Sequence, residues 1–316
     1  MNFASTTISE EGKVAAGGAD PHADARALYL DMMKRALTDS IYWDHPLAIY
    51  NFWHPRAGTA PWKRYCVCLL EGVLKRYKIR LVSPEYIPWV GDYSQLSKQA
   101  LADLPIKGNY WPLRAHTMIG LQRLNNIQFC VETSIKDGVP GDLIETGVWR
   151  GGACIFMRAL LKSYGDAKRT VWVADSFEGL PPPNVAAYPE DAGDSHHAYG
   201  EYLAIPRQQV EENFRRYGLL DEQVRFLEGW FKDTLPKAPI ERLAVLRLDG
   251  DMYESTIQVL ECLYDRVSRG GFIIVDDYHL GPCRQAVTDF RSQRCISDVI
   301  VDIDGMGVFW RKTSGD

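Results

Sequence analysis

Short apolar runs alternate with segments of helical period from about residue 143 to the C-terminus. Val171-Trp-Val-Ala174, Leu243-Ala-Val-Leu-Arg-Leu248 and Gly271-Phe-Ile-Ile-Val275 are aliphatic or β-branched and bounded by Pro or Gly. Such runs read as strands buried on both faces of a parallel sheet. The alternation predicts strands at 143–146, 170–175, 224–228, 243–248 and 271–276, and helices at 152–164, 206–217, 254–268 and 282–293. Pro206 opens one helix and Gly218 closes it, the expected asymmetry. Residues 299–303 and 306–311 form a terminal pair turned by Asp304-Gly305. The fold class is α/β, a doubly wound Rossmann-like sheet with helices on both faces.

The pattern before residue 143 differs. Residues 28–37 predict a helix with Tyr29, Met32, Met33 and Leu37 along one side. Residues 113–136 predict another, with Leu121, Leu124, Ile127, Val131 and Ile135 inward. Residues 40–112 are rich in Trp, Tyr and Pro, and within them Trp62, Tyr65, Leu69, Val73 and Tyr77 recur at helical spacing. Residues 1–24 are Ser-, Ala- and Gly-rich and read as a disordered tail without an apolar secretion core. The expected organisation is a tail (1–24), a mainly helical accessory or lid region (25–112) and the sheet domain (113–316). Between Asp175 and Pro206 there is little periodicity. A loop of that length in a compact domain is a lid, a binding loop or a solvated excursion; its departure from a strand end favours a lid.

Composition narrows the class. A net charge of −5 argues against a nucleic-acid binder, which needs a basic surface. No stretch approaches the ~20 apolar residues of a membrane span, so no stable membrane association is expected. Residues 56–80 carry seven basic side chains against Glu71. A helix there, with a basic face opposite its apolar stripe, reads as packing over the crevice or across a homodimer contact. The seven cysteines show no paired zinc spacing, and Cys66-x-Cys68 reads as ordinary thiols. A reducing, cytoplasmic setting follows.

The chemistry gathers at strand ends, where open α/β sheets bind ligands. Asp249 and the pair Asp276-Asp277 each follow an apolar run, with no matching cluster of cations nearby in sequence. Three converging carboxylates suit a hard divalent cation, Mg²⁺, held by oxygen. Asp251 reads as a cap or a solvated acid. Asp142-Leu-Ile-Glu-Thr-Gly-Val-Trp-Arg-Gly-Gly152 is a strand, a glycine turn and a helix start. Its Gly147-x-x-x-Gly151-Gly152 spacing departs from the dinucleotide fingerprint. Glu145 beside the turn disfavours a pyrophosphate and suits a cationic cofactor, S-adenosylmethionine. Thr146, Gly147 and Gly151 would shape that turn, and Asp175 would take ribose hydroxyls, with Ser176 beside it. Gly229, Trp230 and Phe231 would lie near the adenine, and Thr117 and Met118 near the methionine end. Trp230 and Phe231 read equally well as core. His279 is a reserve base, although surface histidines are common; His196-His197 lack metal-like spacing.

Four of these segments together resemble one family. Ile144-Glu-Thr-Gly-Val-Trp-Arg-Gly-Gly152, Val173-Ala-Asp-Ser-Phe-Glu-Gly-Leu-Pro181, Leu246-Arg-Leu-Asp-Gly-Asp251 and Ile274-Val-Asp-Asp-Tyr278 look like the macrocin O-methyltransferases. The resemblance runs from about 115 to 311. It implies a class I S-adenosylmethionine-dependent methyltransferase sheet ending in an antiparallel pair. It also implies a Mg²⁺-dependent enzyme that methylates a sugar hydroxyl on an antibiotic-type glycoside. It assigns Asp249, which would border both cofactor and metal, the further task of general base. The expected partner is a small-molecule acceptor, with a homodimer as the assembly. A phenol or catechol acceptor, and a nucleotide-binding protein without catalysis, are the alternatives.

Overall fold

A computed structural model describes residues 20–42, 97–108 and 114–313, with isolated positions at 48–49, 73, 76–77, 82–83, 86–87 and 91–92. Most of the expected tail and the helix expected over 62–77 lie outside the described residues, as do Cys66 and Cys68. Seven strands form one sheet: β1 Asp142–Thr146, β2 Val171–Asp175, β3 Val224–Glu228, β4 Leu243–Leu248, β5 Val267–Val275, β6 Val301–Asp302 and β7 Val308–Arg311. Their order is β6-β7-β5-β4-β1-β2-β3. β1 to β5 are parallel, and β7 runs antiparallel to both β5 and β6.

The strands are apolar throughout because both faces are covered. Leu143, Val171, Val173, Phe272 and Ile274 enter one core with helices α1 (Ala23–Leu37), α3 (Leu121–Lys136), α4 (Gly152–Ser163) and α5 (Arg207–Arg216). Their neighbours Ile144, Trp172, Ala174, Ile273 and Val275 enter the other, with α6 (Tyr253–Leu263) and α7 (Gly281–Gln293). Alternate side chains of a strand point to opposite faces, so two cores form around one sheet. Helix α2 (Lys98–Lys107) stands at the carboxyl end of this assembly.

Four expectations about elements need correction. In α1 the inward stripe is Leu30, Met33 and Leu37, while Tyr29 and Met32 are 37% and 48% exposed. Two overlapping stripes fit the sequence, and packing on α4 selects one. α3 starts at Leu121, not near 113, because Gly120 lies extended against Gly108: a Cβ there would meet the Gly108 nitrogen at 2.4 Å. The helix expected to reach 268 ends at Leu263, and a 3-10 turn at Tyr264–Arg266 leads into a longer β5. Gly270-Gly271, expected to bound that strand, sits inside it where the pairing with β4 slips from Leu243↔Val267 to Val245↔Phe272. A glycine pair accommodates such a bulge.

The strand ends are locked side by side. The Gly147 N–H donates to Ala174 O at 2.8 Å, Asp249 N–H to Thr146 O at 2.9 Å, Asp276 N–H to Leu248 O at 2.9 Å and Gly229 N–H to Asp175 O at 2.9 Å. Each bond extends a parallel ladder one step beyond the strand. Neighbouring strands lie about 4.8 Å apart, so acids at adjacent strand ends are brought within that spacing. Among the described residues no helix is long and apolar enough to cross a membrane.

Candidate active site

β1 and β4 are neighbours from which the chain winds in opposite directions, the switch point where such sheets hold ligands. Two cavities open there. One, of about 360 Å³, is lined by Gly147, Asp175, Ser176, Trp230, Phe231 and Ser255 among others. The second, of about 670 Å³, is lined by Thr117, Glu145, Asp276, Asp277 and His279, with Asp103, Leu104 and Lys107 of α2. Met118, Trp149, Leu203, Asp249 and Asp251 line both. The two spaces therefore form a continuous cleft with Asp249 at the junction.

Gly147 shows why the turn needs glycine. Its φ is +86°, and a Cβ would stand 1.7 Å from the Asp249 carbonyl oxygen. The turn is held by Asp175, whose carboxylate accepts the Val148 and Phe177 N–H groups, each at 2.7 Å. Desolvation raises the Asp175 pKa, and those backbone bonds oppose the rise. Trp149, Phe177 and Asp251 adopt positive φ of 46°, 58° and 57°, strain of the kind that collects at functional sites.

Carboxylate oxygens of Asp249, Asp276 and Asp277 lie within 4.8 Å of one another. No cluster of cations adjoins these acids in sequence, but the fold brings two buried arginines among them. Arg247, fully buried on β4, donates to Asp249 Oδ2 at 2.7 Å and also to Glu145 and Asp276. Buried Arg123 of α3 donates to the other Asp276 oxygen and pairs with Asp304 at 3.0 Å. Burial, with Asp276 next, raises the Asp249 pKa well above its ordinary value. Burial and then Asp251 do the same for Asp277. Among the described residues, six acids (Glu145, Asp249, Asp251, Asp276, Asp277 and Asp304) crowd around these two guanidinium groups, more carboxyl groups than the arginines can pair. A carboxylate offers about four lone-pair sites, so the three aspartates retain donor capacity toward a hard cation.

Other expected residues are placed as follows. Glu145 lines the second cavity while Arg247 takes one of its oxygens and the Cys154 thiol donates to the other at 3.0 Å. Burial raises the Glu145 pKa to about 6 against the lowering by Arg247. Asp251 neither caps α6 nor faces bulk solvent. It borders the cleft, donates its N–H to Asp277 Oδ2 at 3.1 Å, and is pushed up to about 7 by burial and then by Asp249. Thr117, Met118, Ser176, Trp230 and Phe231 line the cleft, whereas Thr146, Gly151 and Gly229 shape its supporting turns without lining it. His116, next to Thr117, pairs with the Tyr217 hydroxyl at 2.8 Å and does not line the cleft. His279 stands at the solvent edge of the second cavity, its pKa lowered by desolvation and then by Arg123.

The long loop after β2 lies over the cleft. Buried Asp191 accepts the Tyr253 and Glu254 N–H groups at 2.7 and 3.0 Å, capping α6 from outside the helix. The Trp149 indole donates to Tyr202 O at 2.8 Å, and Leu203 reaches both cavities. Trp149, Leu203 and Arg247 were missed in sequence. Arg247 had a signal, a lone cation inside an apolar run; Leu203 had none.

A family model described as macrocin-O-methyltransferase (TylF) matches residues 26–312. The chain is 50% identical over 291 residues to the 8-demethyl-8-(2,3-dimethoxy-alpha-L-rhamnosyl)-tetracenomycin-C 4'-O-methyltransferase of Streptomyces olivaceus, spanning 92% of this chain and 95% of the relative. It is 57% identical over 209 residues to the mycinamicin III 3''-O-methyltransferase of Micromonospora griseorubida, spanning 66% of this chain and 82% of that one. The structure of the O-methyltransferase NovP is similar with a TM-score of 0.72 at 42% identity, covering 92% of this chain and 100% of that chain.

Proposed function

The chain belongs to the macrocin-O-methyltransferase family, and from that premise we propose that it transfers the methyl group of S-adenosylmethionine to a sugar hydroxyl of an antibiotic-type glycoside, with Mg²⁺. The observation that carries this reading is the meeting of Asp249, Asp276 and Asp277 at the junction of the two cavities. The names of the two curated relatives, one specifying a rhamnosyl acceptor, support a glycoside acceptor.

The smaller cavity suits the nucleoside. Asp175 would accept ribose hydroxyls while holding the glycine turn; Trp230, Phe231 and Ser176 would enclose the adenine side. Thr117, Met118 and Gly147 would border the methionine part, and Thr146, Gly151 and Gly229 would keep these turns in place. S-adenosylmethionine supplies a methyl group on a positively charged sulfur, which departs as a neutral thioether. Asp249, Asp276 and Asp277 would hold Mg²⁺, which when bound orients the acceptor oxygen and stabilises its developing negative charge. Arg247 would hold Asp249 and Asp276 in place, and Arg123 the other oxygen of Asp276. Orientation supplies much of the rate in such a displacement, and Trp149, Leu203 and α2 would confine the acceptor. Asp249 is the base the family resemblance supplies, with His279 in reserve. The exposed Leu28, Tyr29 and Met32 on α1 offer an apolar face to a homodimer, which sedimentation would test.

The direct experiment incubates the purified chain with S-adenosylmethionine, Mg²⁺ and the demethylated rhamnosyl-tetracenomycin of the Streptomyces olivaceus relative. The expected result is one added methyl on the sugar, abolished by EDTA and restored by Mg²⁺. Full turnover in EDTA would remove the metal from this reading, and methylation of the aglycone phenol would replace the acceptor.

A further inference from the structure

Resting on that reading, we propose that Arg123 is the positioning residue that joins the metal ligand Asp276 to α2, so that filling of the metal site and seating of the acceptor-side helix favour one another. Arg123 stands in the first turn of α3 and is buried. Its Nη1 donates to Asp276 Oδ2 at the end of β5. Its Nη2 donates to the Lys107 carbonyl at the end of α2 at 3.3 Å and lies 3.9 Å from Met306 Sδ. Its Nε pairs with Asp304 at 3.0 Å. One guanidinium therefore bridges a strand end, a helix end and the β6–β7 turn. Arg247, by contrast, is bonded to strand-end acids alone among the described contacts.

The grip on α2 falls where that helix needs it. The last carbonyls of a helix have no partner within it, and the residue after Lys107 is Gly108, left-handed at φ +71°. A Cβ on Gly108 would stand 2.3 Å from the Gly120 nitrogen, so α2 ends with its backbone pressed on the segment that leads into α3. Lys107 then serves twice: its carbonyl is on Arg123, and with Asp103 and Leu104 it lines the acceptor cavity. On the other side, Asp304 Oδ1 accepts the Met306 and Gly307 N–H groups at 3.1 and 3.0 Å, and the Met306 carbonyl accepts the His279 N–H at 3.0 Å. Met306 and His279 line the same cavity. Two walls of the acceptor space thus meet a metal ligand at a single side chain.

The direction of the coupling follows from charge. Acids outnumber guanidinium groups at these strand ends, so carboxylate repulsion opposes the arrangement while no cation is bound. A divalent cation relieves that repulsion and favours Asp276 in the place where Arg123 holds it. Arg123 is itself held there by the α2 carbonyl and the β6–β7 turn. Coupling between two sites is reciprocal: whatever the seated α2 adds to cation affinity, the cation returns to the seating of α2. A lysine could not serve, because an ammonium is a point charge without the planar fork that spans three elements.

The test uses the full-length chain with Mg²⁺ alone. Cofactor and acceptor are left out at first, since an acceptor oxygen on the cation would link the two sites by itself. Calorimetry gives the Mg²⁺ Kd. At saturating Mg²⁺, amide exchange across 98–107 should slow about fivefold or more, the lower end of ordinary coupling. Exchange in α5, packed on β3 through Phe214 and Phe226, should not change. Arg123→Lys should weaken Mg²⁺ roughly tenfold or more, as loss of a ligand's supporting partner does, and at saturating Mg²⁺ its α2 should no longer slow. With cofactor and the rhamnosyl-tetracenomycin acceptor added, its acceptor KM should rise severalfold while S-adenosylmethionine affinity stays within about threefold. Mg²⁺ binding that leaves α2 exchange unchanged in the unaltered chain overturns the proposal, whether or not Arg123→Lys folds. So does an Arg123→Lys chain whose α2 slows as much as the unaltered one. If the unaltered chain binds no Mg²⁺, the metal falls out of the functional reading and this inference falls with it.

Discussion

At the scale of single residues, the aspartates at the strand ends are unequal. Asp276 has both oxygens on buried guanidinium groups, whereas Asp277 makes one bond to the Asp251 backbone. Removing one partner of a buried ion pair costs about 3–5 kcal/mol, because the other charge is left without compensation. Asp276→Ala should therefore lower stability by that amount. Asp277→Ala should lose only about 1 kcal/mol for the missing hydrogen bond, offset by relief of carboxylate repulsion. Denaturant unfolding in EDTA separates the two; in Mg²⁺, both should lack the cation-dependent rise in Tm expected of the unaltered chain. Equal destabilisation would mean that the arginines do not single out Asp276. Gly147→Ala should abolish cofactor binding and lower Tm, since its Cβ would overlap the Asp249 carbonyl; an unchanged calorimetric titration would contradict that. The acids at the strand ends were legible because carboxylates after apolar runs stand out. A cation within a buried strand is expensive unless paired, which makes Arg247 a signal, but its partners lie at the ends of β1 and β5 as well as its own strand and are not adjacent in sequence.

At the scale of elements, the loop between β2 and α5 is organised by side chains rather than by periodicity. Asp191 caps a helix to which it is not joined in sequence. Losing a helix cap costs about 1 kcal/mol, so Asp191→Ala should cost about that and loosen the lid. Hydrogen exchange should quicken across 182–204 and at the first turn of α6, while β1 and β4 stay protected. Methyl transfer should fall with little change in cofactor affinity. Unchanged exchange in that segment would show that Trp149 and Tyr202 suffice to hold it. The strands and most helix cores could be read from periodicity, because burial on both faces forces apolar composition. Boundaries slipped where a local turn, such as Tyr264–Arg266, ended a helix inside an apolar stretch.

At the scale of the whole molecule, α2 closes the acceptor side of the cleft from the N-terminal part of the chain. Asp103 and Lys107 face the same cavity as the three aspartates yet lie outside the nucleoside cavity. Asp103→Ala and Lys107→Ala should raise the acceptor KM severalfold, as lost uniform binding does, with S-adenosylmethionine affinity unchanged. A shift in cofactor affinity alone would move α2 to the other ligand. Read alone, the chain determined the parallel sheet, its antiparallel end and the three acids that meet there. Each is written in local order: an apolar run, a break, then a charged residue at the point where open sheets bind. Only the tertiary structure decided that two arginines stand among those acids, that Glu145 pairs with Arg247 and Cys154, and that His196 shares a cavity with residues more than fifty positions away. Those facts depend on which strands are neighbours and on how a loop folds back over them, and neither leaves a periodic trace in the sequence.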